Sequence, residues 1–129
     1  MRIDHVGLWT DDPDRLAAFY VTYFGASIGE KYTNGAKGFE SRFLTFGTSA
    51  RLEIMRTTTL SPVKHEPGAQ RMGLTHVALS VGSEQLVDEL TERVQRAGYP
   101  VLDGPRRTGD GYYESVVCDP DGNRVEIVA

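Results

Sequence analysis

The chain has 129 residues, a net charge of −4, and charged and apolar shares of 25% and 40%. That describes one folded domain with a real core, not a disordered chain, and its acidic balance without a Lys/Arg cluster speaks against nucleic-acid binding. No apolar run approaches the ~20 residues that cross a bilayer. Met1-Arg2 lead straight into a strand-like run, leaving no room for a signal peptide. The single cysteine, Cys118, has no partner for an internal disulfide, which fits a reducing, cytoplasmic setting. It lies in an apolar strand without an obvious base, so a buried small hydrophobe is the expected role.

In chain order, residues 2–9 read as a strand. Asp11-Asp12-Pro13-Asp14 then starts a helix, with a capping aspartate and Pro in the first turn. Leu16, Phe19, Tyr20 and Tyr23 step by three and four along one helical face. Gly25 stands where a left-handed cap belongs. Strands are expected at 26–33, 38–46 and 50–56, with turns at Asn34-Gly35 and Gly47-Thr48-Ser49. Residues 58–73 are polar, hold two prolines and read as a linker; His65 within them is expected to be exposed and inert. The same order of elements then returns. A strand at 74–81 precedes a helix capped by Ser83, with apolar positions Leu86, Leu90, Val94 and Ala97 and a closing Gly98. Strands follow at 100–103, 111–118 and 123–128, and Asp119-Pro120-Asp121-Gly122 is a turn in which Pro presets φ and Gly supplies the positive φ.

Read as two modules, 1–57 and 74–129, the halves supply the same pair of side chains at nearly the same offset. His5 in Ile3-Asp4-His5-Val6-Gly7-Leu8 matches His76 in Leu74-Thr75-His76-Val77-Ala78-Leu79, 71 residues on. Glu53 in Arg51-Leu52-Glu53-Ile54-Met55 matches Glu126 in Arg124-Val125-Glu126-Ile127-Val128, 73 residues on. A fixed-period repeat governs every other reading of the fold. Alternation puts Leu52 and Ile54 on one face and Glu53 on the other; Val125 and Ile127 are likewise opposed to Glu126, Val6 and Leu8 to His5, and Val77 and Leu79 to His76. The expected architecture is α+β: sheets with helices on one side and a polar, ligand-bearing side opposite. A single His or Glu on a strand's outer face is usually just solvated. Four in duplicate on matching strands point to a shared metal site. The acidic run at 11–14 is explained by its capping role, and Gly109-Asp110-Gly111 lacks the following helix of a phosphate loop.

The whole arrangement resembles the vicinal oxygen chelate superfamily and, within it, the glyoxalase I-like proteins. The carriers are His5, Glu53, His76 and the ending Asp119-Pro120-Asp121-Gly122-Asn123-Arg124-Val125-Glu126. The resemblance implies two βαβββ modules forming an open eight-stranded cup around a divalent ion (Zn, Ni, Co or Mn), commonly in a homodimer. The site would lie within one chain or between two. The ligands implied are His5, Glu53, His76 and Glu126. Such a donor set suits those ions and leaves room for substrate oxygens. The implied reaction is that of a lactoylglutathione lyase: isomerisation of the hemithioacetal of a 2-oxoaldehyde and a thiol into a thioester. Glu126 is the first choice for the base, and Glu53 is a ligand or second base. Near-symmetry leaves the two inseparable in sequence.

Other members of the superfamily are the alternatives. An extradiol dioxygenase needs a two-histidine, one-carboxylate triad, and a thiol transferase of the fosfomycin type also uses three protein ligands, so Glu53 is surplus in both. The acyl-CoA epimerases have an amide at the position matching Glu53, and a metal-free bleomycin-binding resistance protein has no use for all four ligands. No motif assigns the thiol-binding pocket. Trp9, Arg42 and Tyr113 are candidates for lining the cup, with the facing of 38–46 and 111–118 left open.

Overall fold

The computed structural model describes residues 1–61, 66–70 and 72–129; His65 and part of the linker lie outside the described residues. The chain divides into two compact units, Met1–Val63 and Lys64–Ala129. Among the described residues no helix is long and apolar enough to cross a membrane.

In the first unit β1 (His5–Trp9) leads to α1 (Pro13–Phe24), then to β2 (Ser27–Ile28), β3 (Tyr32–Asn34), β4 (Phe39–Thr45) and β5 (Arg51–Thr57). The helix starts as the sequence dictates. The Asp12 carboxylate accepts the Arg15 N–H at 3.0 Å, Pro13 opens the first turn, and Gly25 closes the helix at φ 63°. Leu16, Ala17, Phe19 and Tyr20 bury one side of α1 against β4 and β5, where Leu44, Leu52 and Ile54 are fully or almost fully buried. Each such side chain contributes about 1.5–3 kcal/mol by leaving water. The expected strand at 26–33 is instead two short pieces, β2 and β3, both paired antiparallel with β4. Gly29 lies between them and donates its N–H to the Phe43 carbonyl at 2.8 Å. The Asn34-Gly35 turn is one 3-10 turn, capped at its start by the Asn34 side-chain oxygen, which accepts the Lys37 N–H at 3.2 Å.

The second unit repeats the plan with β6 (His76–Ser80), α2 (Glu84–Arg96), β7 (Val101–Arg107), β8 (Tyr113–Cys118) and β9 (Arg124–Val128). Ser83 caps α2 by accepting the Leu86 N–H at 3.2 Å. The buried face of α2 is Val87, Leu90, Thr91 and Val94, one step round from the expected one, so that Leu86 is left exposed. The helix lies on β7, β8 and β9, over Val117, Val125 and Ile127. Strand β7 runs four residues past its expected end at 103, with register shifts on either side of Asp103.

Sheet order is β1-β5-β4-β2 with β3 also on β4 in one unit, and β6-β9-β8-β7 in the other. The first strand of each unit lies parallel to its last. The two open mixed sheets with one helix each are therefore the α+β architecture expected from the repeat, with nine strands among the described residues rather than eight.

The loop after β8 is held by a nearly buried carboxylate. Asp119 Oδ1 accepts the N–H groups of Asp121 and Asn123 at 3.0 and 2.9 Å, and Oδ2 accepts the Asn123 side-chain amide at 2.9 Å. Burial pushes the Asp119 carboxyl up, and the Asn123 hydrogen bonds partly offset it. Asp119→Ala strands these donors, so it should cost about 1–3 kcal/mol. A lower midpoint of urea unfolding at unchanged slope is the expected result.

Candidate metal and catalytic site

Parallel pairing fixes where the candidate ligands stand. In the first unit His5 lies opposite Arg51 and Gly7 opposite Glu53; in the second His76 lies opposite Arg124 and Ala78 opposite Glu126. Residues in register share a face and alternate along the strand, so each His and its Glu project together from the face away from the helix. His5 Nε2 is 3.7 Å from Glu53 Oε2, and His76 Nε2 is 3.3 Å from Glu126 Oε2. Gly7 carries no side chain because the end of Met55 fills that space, 2.6 Å from where a Cβ would sit. The two histidines are 42% and 38% exposed and the two glutamates 18% and 19%, so both pairs stand on an open face rather than in a sealed core.

Each imidazole is held by its other nitrogen. His5 Nδ1 is 2.9 Å from Asp4 Oδ2. The same carboxylate meets Arg51, whose guanidinium lies 4.2 Å over the Phe43 ring, and that ring meets the His5 ring edge to face at 5.4 Å. The hydrogen bond from His5, then Arg51, holds the Asp4 carboxyl down to about 2. An ionised carboxylate only accepts, so Nδ1 carries the hydrogen of that contact and Nε2 is the nitrogen turned toward Glu53. In the second unit the Thr75 hydroxyl, 3.0 Å from His76 Nδ1, can accept in the same way.

The donor set fits a divalent ion. Two donors each about 2.1 Å from one ion, at roughly 100–120° to each other, stand roughly 3.2–3.6 Å apart; His76–Glu126 at 3.3 Å falls in that range and His5–Glu53 at 3.7 Å lies just beyond it. Holding the distal nitrogen of a ligating His is also what orients such ligands. Each unit supplies two donors. Among the described residues no group of three or more His, Cys, Asp or Glu is gathered closely enough to hold an ion alone.

The further candidates divide between the two faces. Trp9 is paired with Met55 on the Glu53 face and is half exposed, with its ring edge-to-face with Phe39 at 6.2 Å. Arg42 is opposite Ile54 and so projects toward the helix, where it meets Asp14 of α1 at 3.0 Å. Tyr113 also projects toward the helix side, donating its hydroxyl to Asp88 of α2 at 2.8 Å. These two therefore stand on the face opposite the ligands, because β4 and β8 enter their ladders one residue out of step with the expected lining. In their place the ligand face carries Phe43, opposite Glu53, and Val116, opposite Glu126. Glu114 shares that face. Burial first, then the charge of Glu126, pushes its carboxyl up. Asp4 and Thr75, the polar residues before each His, were legible in the repeat; Glu114 was not, because its facing depends on register. A hollow of about 500 Å³ opens beside the second pair, lined by Gln70, Met72, Thr75, His76, Arg124 and Glu126.

A unit that presents a His–Glu pair from its first strand and the last strand parallel to it, occurring twice in one chain, defines a class of duplicated α+β folds. The chain belongs to the Glyoxalase/Bleomycin resistance protein/Dioxygenase superfamily, whose family model matches residues 2–127. This bears out the vicinal oxygen chelate resemblance. It is 30% identical to the "Uncharacterized protein YqjT" of Bacillus subtilis, over 97% of this chain and 96% of that one. Among solved structures it is similar to the trypanothione-dependent glyoxalase I of Leishmania major, with 24% identity, a TM-score of 0.79, and coverage of 99% of this chain and 86% of that one. A glyoxalase family protein from Bacillus cereus superposes with a TM-score of 0.82 at 15% identity, covering 99% and 93% of the two chains. At these identities the structures share a fold.

The carboxylate beside His5 gives a direct test. Replacing His5 by Ala removes the main cause of the low Asp4 value, so the Asp4 titration followed by carboxyl ¹³C NMR should move up toward the ordinary carboxylate range. An unmoved titration would mean that Arg51 alone holds Asp4.

Proposed function

We propose that this protein is a metal-dependent isomerase of the glyoxalase I type, converting the hemithioacetal of a 2-oxoaldehyde and a thiol into a thioester. The observation that carries the reading is the duplicated His–Glu pair at one register, with each free imidazole nitrogen turned toward its glutamate. His5, Glu53, His76 and Glu126 would hold one divalent ion (zinc, nickel, cobalt or manganese) in a single domain spanning 1–129. A dimer of identical chains in the cytoplasm is part of the same reading. The bound ion supplies Lewis acidity to two adjacent substrate oxygens.

The chain's own groups carry the proton. Glu126 takes it from the carbon bearing sulfur and returns it to the neighbouring carbon, acting as a general base and then an acid. The hollow beside Glu126 gives a substrate access to that carboxylate and favours it over Glu53, which stays a ligand or second base. Thr75 and Asp4 hold the imidazoles in the tautomer that leaves Nε2 available.

Metal analysis of the purified protein, then an isomerase assay with methylglyoxal and several thiols, tests the reading. Failure of the metal-loaded protein to isomerise any thiol adduct sets it aside, and other substrates with adjacent oxygens become the targets. Glu126→Gln keeps the size and one ligating oxygen but removes the charge, so turnover should fall ~10²–10⁴-fold while metal is largely retained. Glu53→Gln should cost less; equal losses would show that the two carboxylates share the proton. Asp4→Asn leaves His5 without its charged anchor and should weaken metal affinity about 10–100-fold, measured by competition with a chelator.

A further inference from the structure

Besides Asp4 against Thr75, the repeat that matches the two His–Glu pairs breaks at a second charged position. Two residues along the last strand from Glu53 stands Met55, and opposite it is the buried Ser41. Two residues along from Glu126 stands Val128, and opposite it is Glu114. Val116 is the residue opposite Glu126, which makes Glu114 the diagonal neighbour of Glu126 on one face, at roughly 7–8 Å between strand positions.

Glu114 is only 14% exposed, and a carboxylate so placed is costly without donors or a counter-charge. Among the described residues its ion-pair partner is Arg106, 3.7 Å from Oε1, which is beyond hydrogen-bond length. Arg106 is turned instead to Asp103, through Nε at 2.8 Å and Nη2 at 2.7 Å. The other arginine on this face, Arg124, donates from Nη1 to the Gly68 carbonyl at 3.0 Å. Glu114 thus keeps its accepting capacity beside Glu126, on a face where Asp103, Glu114 and Glu126 outnumber the two arginines.

We propose that Glu114 is a specificity residue that receives the protonated amine of an aminothiol adduct held at His76 and Glu126. The proposal rests on the reading of Glu126 as the catalytic carboxylate. In such an adduct the amine lies four bonds from the carbon bearing sulfur, roughly 5 Å, a span that reaches from the Glu126 position toward the Glu114 oxygens. A thiol whose amine is acylated offers no cation there, and one carrying carboxylates meets like charge.

Calorimetric titration of the metal-loaded protein with 2-(propylthio)ethylamine and with its N-acetyl derivative tests this without turnover. The free amine should bind about ten-fold or more tightly, the scale of one charge-assisted hydrogen bond. Glu114→Gln should abolish that preference, and Glu114→Asp, with a shorter carboxylate, should reduce it. If the glutamine variant does not fold, the aspartate variant decides the question. Equal binding of the two probes, no binding of either, or a preference that survives both substitutions overturns the proposal. An inactive isomerase with the amine preference intact would remove the isomerase reading and leave Glu114 as an ammonium site.

Discussion

The parallel pairing of the first and last strands is the constraint on which the rest of each unit depends. Strands β1 and β5 cannot lie parallel across a tight turn; the chain must cross over first, and α1 with the β2–β4 meander makes that crossing. Once the two strands are adjacent, register does the rest. With Gly7 opposite Glu53 and Ala78 opposite Glu126, each His stands two residues from its Glu on the same side. A slip of one residue would turn the whole ligand set into the helix-packed core. The buried positions prevent that slip. Leu52, Ile54, Val125 and Ile127 are all 0–3% exposed, and none could exchange faces with a glutamate without burying a charge.

The same physics explains what was legible in the sequence. Helix ends depend on local chemistry, so Asp12, Gly25 and Ser83 could be placed from residue type alone. The ligand strands could be read because strict alternation opposes Leu52 and Ile54 to Glu53, and Val125 and Ile127 to Glu126. Strand β4 has no such alternation: Ser41 and Leu44 are both buried although they lie on opposite faces. Its facing is set by its partner β5, which the sequence of β4 does not encode, and Arg42 was misplaced for that reason. Tyr113 fails similarly, since β8 buries Ser115, Val116, Val117 and Cys118 in one run. The break at Gly29 and the extension of β7 past Gly104-Pro105 depend on hydrogen bonds to distant strands, which no local pattern announces.

Duplication and its imperfections carry different information. Where the two units agree, the shared feature is the His, the Glu and a polar residue before each His. Those are the groups a symmetric ion requires. Where they differ, they differ in surroundings: Asp4, Arg51 and Phe43 enclose the His5 ring, whereas Thr75 leaves the His76 side open to a hollow. A charged anchor strengthens an imidazole as a donor more than a hydroxyl does, so under the proposed reading the first pair would be the better metal holder.

That difference bears on the chemistry more than on the fold. Two glutamates on matching strands begin as equivalent bases, and only environment can separate their roles. Glu53 faces Phe43 across the ladder and Glu126 faces Val116, so neither gains a hydrogen-bond donor from the residue opposite. The separation comes from one strand position further along, Ser41 on one side and Glu114 on the other. Glu126 therefore stands beside a further carboxylate, which burial and then the Glu126 charge push up, and Glu53 has no such neighbour at the matching position. Under the proposed isomerase reading, that asymmetry would leave metal holding chiefly to the first unit and proton handling with substrate recognition to the second.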